Sequence, residues 1–414
     1  MKKLLCLLLT AAVLLSVSAC SGRNAPETSD AAAVIAGRDP DPLPETEIDD
    51  VPADAAGRAP DLSGLADAQF DPETGRLAYY LALPDSSRDC STPLAMQALL
   101  LCSGHTAENT AALLGAGGFE LLAQKNFDKA DTDPAHTCAY TIARKTVLYG
   151  GAPRTLLLTA IRGTDGGEWY SNFDIAPDRN GDSPFAENFL FAAEDVLLTL
   201  NGFAEAETAP LFLICGHSRG AACANLLGVL VNELYGEENA FVYTFATPAT
   251  LRSDAVGTLP DGNIFNYLNP LDLVPQMPLE SWGYSRAGTN ILLPADREMP
   301  YGETLDILAG IAPTVDAYYT ERHSLTGPGL SEDGLTAFEV FLMVGSALAG
   351  AGTESDAASA APDGLKKLLS ADSDLYPLTE LLERAAANDW EIGKDILHQH
   401  LPDTYGALLE MLAK

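Results

Sequence analysis

Leu211-Phe212-Leu213-Ile214-Cys215-Gly216-His217-Ser218-Arg219-Gly220-Ala221-Ala222-Cys223-Ala224-Asn225 is the stretch on which the fold of this chain turns. Its first five residues are apolar, and Pro210 just before them marks the start of a short strand buried on both faces. Ala221, Ala222 and Ala224 follow with high helix propensity, opening a helix that runs to about Tyr235. Between strand and helix stands a GxSxG. A sharp turn at that junction lifts a serine hydroxyl clear of the backbone, and the flanking glycines let the chain pass without a Cβ clash. The helix N-terminus also directs N–H groups at a developing oxyanion. The motif by itself is weak: with 35 Gly in the chain, a chance match is roughly a one-in-five event. The strand before it and the helix after it give it weight, and Ser218 is the candidate nucleophile.

A serine needs a base, and the base needs an acid to orient it. After an elbow of this kind both come later in the chain. Of the six histidines, His323, His398 and His400 lie far enough downstream. His323 falls in Tyr319-Thr320-Glu321-Arg322-His323-Ser324-Leu325, a polar stretch following a helical run, where loop-borne catalytic groups are expected. It is taken as the base. His398 and His400 fall on an amphipathic terminal helix and read as surface or packing residues. Asp272 is the candidate acid, because it follows the strand-like Ile264–Leu268 at the carboxyl end of a sheet, where ligand crevices open in α/β proteins.

Working outward, strand-like runs appear at Cys138–Leu148, Thr155–Ile161, Ala240–Ala246 and Asn263–Leu268. Helical stretches appear at 92–101, 106–114 (N-caps Thr92 and Thr106) and Phe185–Leu200. Strand, helix, strand in that order predicts an α/β fold with a mainly parallel central sheet flanked by helices. Beyond about residue 335 the pattern is helical, giving a C-terminal extension over 336–414, packed on a main domain of residues 65–335.

Hydrophobic residues make up 47% of the 414, enough for a sizeable core, so wholesale disorder is excluded. The net charge of −34 disfavours nucleic acid, since phosphates would repel such a surface. No HExxH and no paired CxxC occur, so neither a metal nor another cofactor is expected. Lys2 and Lys3 precede an apolar run, Leu4–Val17, too short to span a bilayer and typical of an export signal. The run ends Val17-Ser18-Ala19-Cys20, which resembles the lipobox of bacterial lipoproteins. That resemblance implies removal of residues 1–19 and a lipid anchor on Cys20, on the outer face of the cell membrane. Residues 20–64, rich in Ala, Asp, Pro and Glu, read as a flexible acidic spacer. Cys90, Cys102, Cys138, Cys215 and Cys223 then remain. Export permits a disulfide among the first three, while Cys215 and Cys223 read as core residues.

Four segments together resemble the class 3 lipase family of the α/β-hydrolase fold, over about residues 92–325. They are Ala160-Ile161-Arg162-Gly163-Thr164 with Trp169 to Phe173; Gly216–Gly220; Tyr243 to Pro248; and Asn269 to Pro275. Ser218, Asp272 and His323 follow the family's order, at spacings of 54 and 51 residues. The resemblance implies that Thr164 and the backbone N–H of Arg219 form the oxyanion hole, with Gly216, His217 and Gly220 completing the elbow. It also makes the loop of Trp169 and Phe173 the region of a lid, though both aromatics fit a core equally well. Arg219 departs from the family, which often carries an uncharged residue there, and the flanks of His323 match loosely. The implied function is a serine carboxylic-ester hydrolase acting on acylglycerol or phospholipid. A short-chain esterase and a non-catalytic surface binding protein on the same scaffold are the alternatives.

Overall fold

The computed structural model describes residues 69–71, 76–78, 83–104, 106–127, 137–163, 184–278, 280, 283–295, 297–299, 302, 306 and 398–413. The apolar runs pair into one seven-stranded sheet whose strands lie side by side in chain order. They are β1 (Glu120–Lys125), β2 (Tyr140–Tyr149), β3 (Ala152–Ile161), β4 (Leu211–His217), β5 (Ala240–Phe245), β6 (Ile264–Leu268) and β7 (Thr289–Leu292). β1, β2 and β3 pair antiparallel, the β2–β3 turn using Gly150 and Gly151 at positive φ. From β3 to β7 every pairing is parallel. The mainly parallel sheet expected from the sequence is therefore present. Two short antiparallel pairs lie outside it, Gln69–Asp71 with Arg76–Ala78 and Leu251–Arg252 with Tyr284–Ser285.

Helices cover both faces. α1 (Thr92–Cys102) and α2 (Ala107–Ala116) precede the sheet; α3 (Glu187–Ala204) joins β3 to β4, and α4 (Arg219–Tyr235) joins β4 to β5. Right-handed crossovers that advance one strand at a time put consecutive helices on one face. α3 and α4 accordingly share a core with Phe212 and Ile214 of β4. The stripe Phe189, Ala192, Ala193, Val196, Leu197 and Leu200 gives α3 its buried side at helical spacing. Leu211, Leu213 and Cys215 point the opposite way, as strand alternation requires, and meet α1 and a last helix, α5 (Pro402–Leu412). All seven residues of β4 are buried. At roughly 25 cal/mol per Å² of apolar surface, burying a Leu or Phe side chain contributes about 1.5–3 kcal/mol, so this doubly covered strand anchors the elbow that follows it.

Cap positions follow local chemistry. Thr106 caps α2 as expected, its hydroxyl accepting from the Asn109 N–H at 3.1 Å. The cap of α1 is Ser91 rather than Thr92: its hydroxyl accepts from the Leu94 N–H at 3.3 Å. Thr92 is already helical, and Pro93 lies in the first turn, where a missing N–H leaves no bond unmade. Of the expected C-terminal extension, residues 398–413 are described, and α5 packs through Tyr405 and Leu409 into the α1-side core. The signal segment, Cys20, the acidic spacer, and the helical runs expected between 336 and 387 lie outside the described residues. No described helix is long and apolar enough to cross a membrane.

Candidate active site

The elbow is built as the sequence demands. Ser218 has φ 57° and ψ −123°, a conformation that side-chain-bearing residues rarely adopt and that costs on the order of 1–3 kcal/mol. The packing around it holds that strain. A Cβ on Gly216 would sit 2.1 Å from the Gly220 carbonyl oxygen, and one on Gly220 would sit 2.4 Å from that of Ile161. The backbone of α4's first turn thus passes directly over the ends of β3 and β4. Ser218 N–H donates to Phe245 O at 2.9 Å, tying the elbow to the end of β5.

Asp272 lies in the loop after β6, where Asp272 N–H closes a turn onto Asn269 O at 3.0 Å. Its side chain is fully buried. Oδ1 accepts from the Val274 N–H at 2.9 Å, which orients the carboxylate from its own loop. Oδ2 accepts from the hydroxyl of Tyr405 at 2.8 Å.

The ring between Ser218 and Asp272 is that of His400. Its Nδ1 lies 2.8 Å from Asp272 Oδ2, and its Nε2 lies 2.9 Å from Ser218 Oγ. A carboxylate accepts, so Nδ1 carries the proton, and Nε2 is left to accept from the serine hydroxyl. The assignment of His323 to this position is corrected, and His323 itself lies outside the described residues. The reading of His400 as a surface or packing residue is overturned: its side chain is 12% exposed and closes a Ser-His-Asp relay. His400 sits in the turn ahead of α5 rather than on the helix, so helical periodicity misjudged where its ring points. The acid-to-base separation is 128 residues instead of the anticipated 51.

Several contacts hold the 399–405 segment against the sheet. Asn269 Nδ2 donates to Gln399 O at 2.9 Å and to Gln399 Oε1 at 3.0 Å. Asn269 N–H donates to the Tyr405 hydroxyl at 3.2 Å, so that one oxygen accepts from the loop and donates to the acid. His217, inside the elbow, donates from Nε2 to His400 O at 3.0 Å, and its ring lies 5.0 Å from that of His400. The elbow thereby grips the backbone of the residue that completes it. Burial and the Asp272 charge push the Tyr405 hydroxyl well above the usual tyrosine range, keeping it a donor. Burial pulls the guanidinium of Arg286 down to about 10, against the attraction of Tyr405 and Asp272.

Thr164, Trp169 and Phe173 lie outside the described residues. Gly163, next to Thr164, packs on the elbow: a Cβ there would lie 3.1 Å from His217 O and 3.6 Å from Ser218 Cβ. Arg219 starts α4, and its side chain turns into the protein. One Nη donates to Thr137 O at 3.0 Å, and the guanidinium lies 5.5 Å over the ring of Phe189. The charge at this unusual position is thus partnered inside the fold. Among the described residues no cluster of three His, Cys, Asp or Glu could hold a metal ion. His400, Tyr405 and the bridging role of Asn269 were missed by sequence reasoning. Asn269 alone carried a signal, as part of the Asn-Pro-Leu-Asp run.

Residues 159–282 match the family model of Lipase (class 3), a span that contains the elbow and Asp272. Similar solved structures include a fungal lipase in complex with an inhibitor, at 15% identity and a TM-score of 0.40, covering 50% of this chain and 81% of that one. A Rhizomucor miehei lipase–propeptide complex aligns at 14% identity and 0.40, covering 56% and 81%. The lipase of Rhizopus microsporus var. chinensis aligns at 16% and 0.36, covering 49% and 74%. No curated protein matches. The fold is of the α/β-hydrolase type, a parallel sheet with a strand–elbow–helix at its centre.

Proposed function

We propose that this protein is a serine carboxylic-ester hydrolase of lipase type. The observation that carries the reading is the relay Ser218 Oγ–His400–Asp272, with contacts of 2.9 and 2.8 Å. Ser218 Oγ attacks the ester carbonyl as His400 Nε2 takes its proton. Asp272, held by Val274 and Tyr405, stabilises the resulting imidazolium. The backbone N–H of Arg219 at the start of α4, with Thr164, three residues beyond β3 in the sequence, receives the negative charge on the carbonyl oxygen, each donor typically worth about 3 kcal/mol. His400 then gives its proton to the leaving alcohol, and water repeats the sequence on the acyl-enzyme. Each half-reaction is a proton shuttle through one ring, which is why the ring must touch both partners.

The substrate we assign is a lipid ester, an acylglycerol or phospholipid. Two features support that choice: the lipase match over 159–282, and the lipobox-like Val17-Ser18-Ala19-Cys20, where a lipid attached to Cys20 would hold the enzyme beside a bilayer. A series of p-nitrophenyl esters of rising chain length tests it, since a preference for short acyl chains alone would make the protein a soluble-ester esterase. Release of the Cys20→Ala protein into the medium tests the anchor.

The catalytic assignment is tested with a fluorophosphonate probe. Wild type and His323→Ala should label, Ser218→Ala should not, and His400→Ala should label more slowly by about 10²–10⁴-fold, the usual contribution of a general base. Equal labelling of wild type and Ser218→Ala would refute the enzyme and favour a binding protein. Loss of labelling in His323→Ala with retention in His400→Ala would refute the base.

A further inference from the structure

Cys138 and Cys223 lie far apart in the chain and touch in the fold. Cys138 ends the approach to β2, and Cys223 is in the second turn of α4, five residues after Ser218. Their Sγ atoms are 2.8 Å apart across 85 residues of sequence, and the two residues are 2% and 0% exposed. That approach is within about 0.8 Å of a covalent S–S length of ~2.05 Å. Of the other cysteines, Cys90 Sγ meets the Tyr267 hydroxyl at 3.1 Å, and the Cys102 thiol donates to Leu99 O at 3.4 Å and lies beside the thiol of Cys215. The sequence allowed a disulfide among Cys90, Cys102 and Cys138 and took Cys223 for a core residue; in space Cys138 faces Cys223.

We infer that Cys138 and Cys223 are a cross-linking site, joined as a disulfide when the chain folds under oxidising conditions. In the structure both are thiols. The oxidant is a disulfide, either a small molecule or a protein thiol oxidase. One cysteine thiolate attacks it and forms a mixed disulfide, releasing the first oxidant thiol. The second cysteine thiolate then displaces the other. The pair loses two protons and two electrons, and the oxidant disulfide becomes two thiols. The bond ties the elbow helix α4 to the entry of β2, the same junction at which Arg219 donates to Thr137 O. Both thiols are sealed in the α3–α4 core, so the exchange belongs to folding, before that core closes.

The inference is independent of the esterase reading and its test is chemical. The full chain is reduced, unfolded, and refolded in a glutathione redox buffer; remaining thiols are then alkylated, and the protein is digested with trypsin without reduction. Cleavage after Lys129, Arg144, Arg219 and Arg252 puts Cys138 and Cys223 in separate peptides, 130–144 and 220–252, with no other cysteine in either. The expected result is a linked species of those two peptides, two hydrogens lighter than their sum, which separates on reduction. Oxidant added to the already folded, reduced protein should give the same species at least tenfold more slowly. Recovery of both peptides fully alkylated from the oxidatively refolded soluble protein, or linkage of either to a different cysteine, would overturn it.

Discussion

Asn269 holds Gln399: its side-chain amide donates to both the backbone and the side-chain oxygen of that residue, at 2.9 and 3.0 Å. The loop that carries Asp272 therefore grips the segment that carries His400, one residue from its ring. The relay depends on docking a piece of chain 128 residues beyond the acid. Removing the amide in Asn269→Ala should lower kcat by about tenfold through loosened placement of the ring, the effect of one lost hydrogen-bonding side chain at a positioned site. KM should stay within twofold. Ester hydrolysis by this variant at wild-type kcat would show that α5 packing alone seats His400.

Tyr405→Phe isolates the other side of the same arrangement. The ring stays in the core beside Leu409, while the hydroxyl that donates to Asp272 Oδ2 at 2.8 Å is lost. A hydrogen bond to a charged group contributes about 1.5–3 kcal/mol, so kcat/KM should fall roughly tenfold to a hundredfold. The loss should appear in kcat, because Tyr405 is buried and touches the acid rather than substrate. Steady-state kinetics on one p-nitrophenyl ester decides: a loss confined to KM would mean that the hydroxyl faces the substrate.

The glycines of the elbow and a glycine of α2 should respond in opposite directions to the same change. In Gly220→Ala the new methyl would meet the Ile161 and Arg162 carbonyl oxygens at 2.4 and 2.5 Å, all backbone. Relief requires parting α4 from β3, which should cost more than the 1–3 kcal/mol usual for overpacking and abolish fluorophosphonate labelling. Gly115, exposed in α2, has nothing within 4 Å of its Cβ position. Gly115→Ala should stabilise by about 0.5–1 kcal/mol with no effect on labelling. Thermal melts of both variants check the pair.

What could be read from the sequence was local or periodic. The strand Leu211–Cys215, the elbow and the helix after it are contiguous, and each residue type there has one structural reason. Asp272 was legible because a strand and a turn motif bracket it. His400 was not, because its role is set by where α5 docks, and docking follows from Tyr405 and Leu409 meeting α1 across the sheet face. Spacing drew the choice toward His323, whereas the chain returns to the crevice only at its far end. The cap of α1 slipped by one residue for a smaller reason of the same kind: Ser91 and Thr92 are both capable, and Pro93 decides between them.

High pH offers a test of the core itself. Burial pushes the phenol of Tyr140 far above its ordinary value near 10, and does the same for Tyr243, Tyr267 and Tyr405. A phenol with a raised folded-state value binds its proton more tightly in the fold than in the unfolded chain. Its contribution is then fully present below about pH 10 and is lost as pH climbs toward the folded value. Four such groups lose stability together above about pH 10, and the buried thiols of Cys102 and Cys223, raised from about 9, begin to do so earlier, so the thermal midpoint should start to fall near about pH 9 and drop steeply above about 10. The tyrosinate absorbance of these four should rise with unfolding and not before it. A melting curve followed by circular dichroism and by tyrosinate absorbance in the same cuvette checks this. Ionisation of all the tyrosines while the helical signal persists would show that these hydroxyls are open to water, and that the doubly covered sheet is loosely packed.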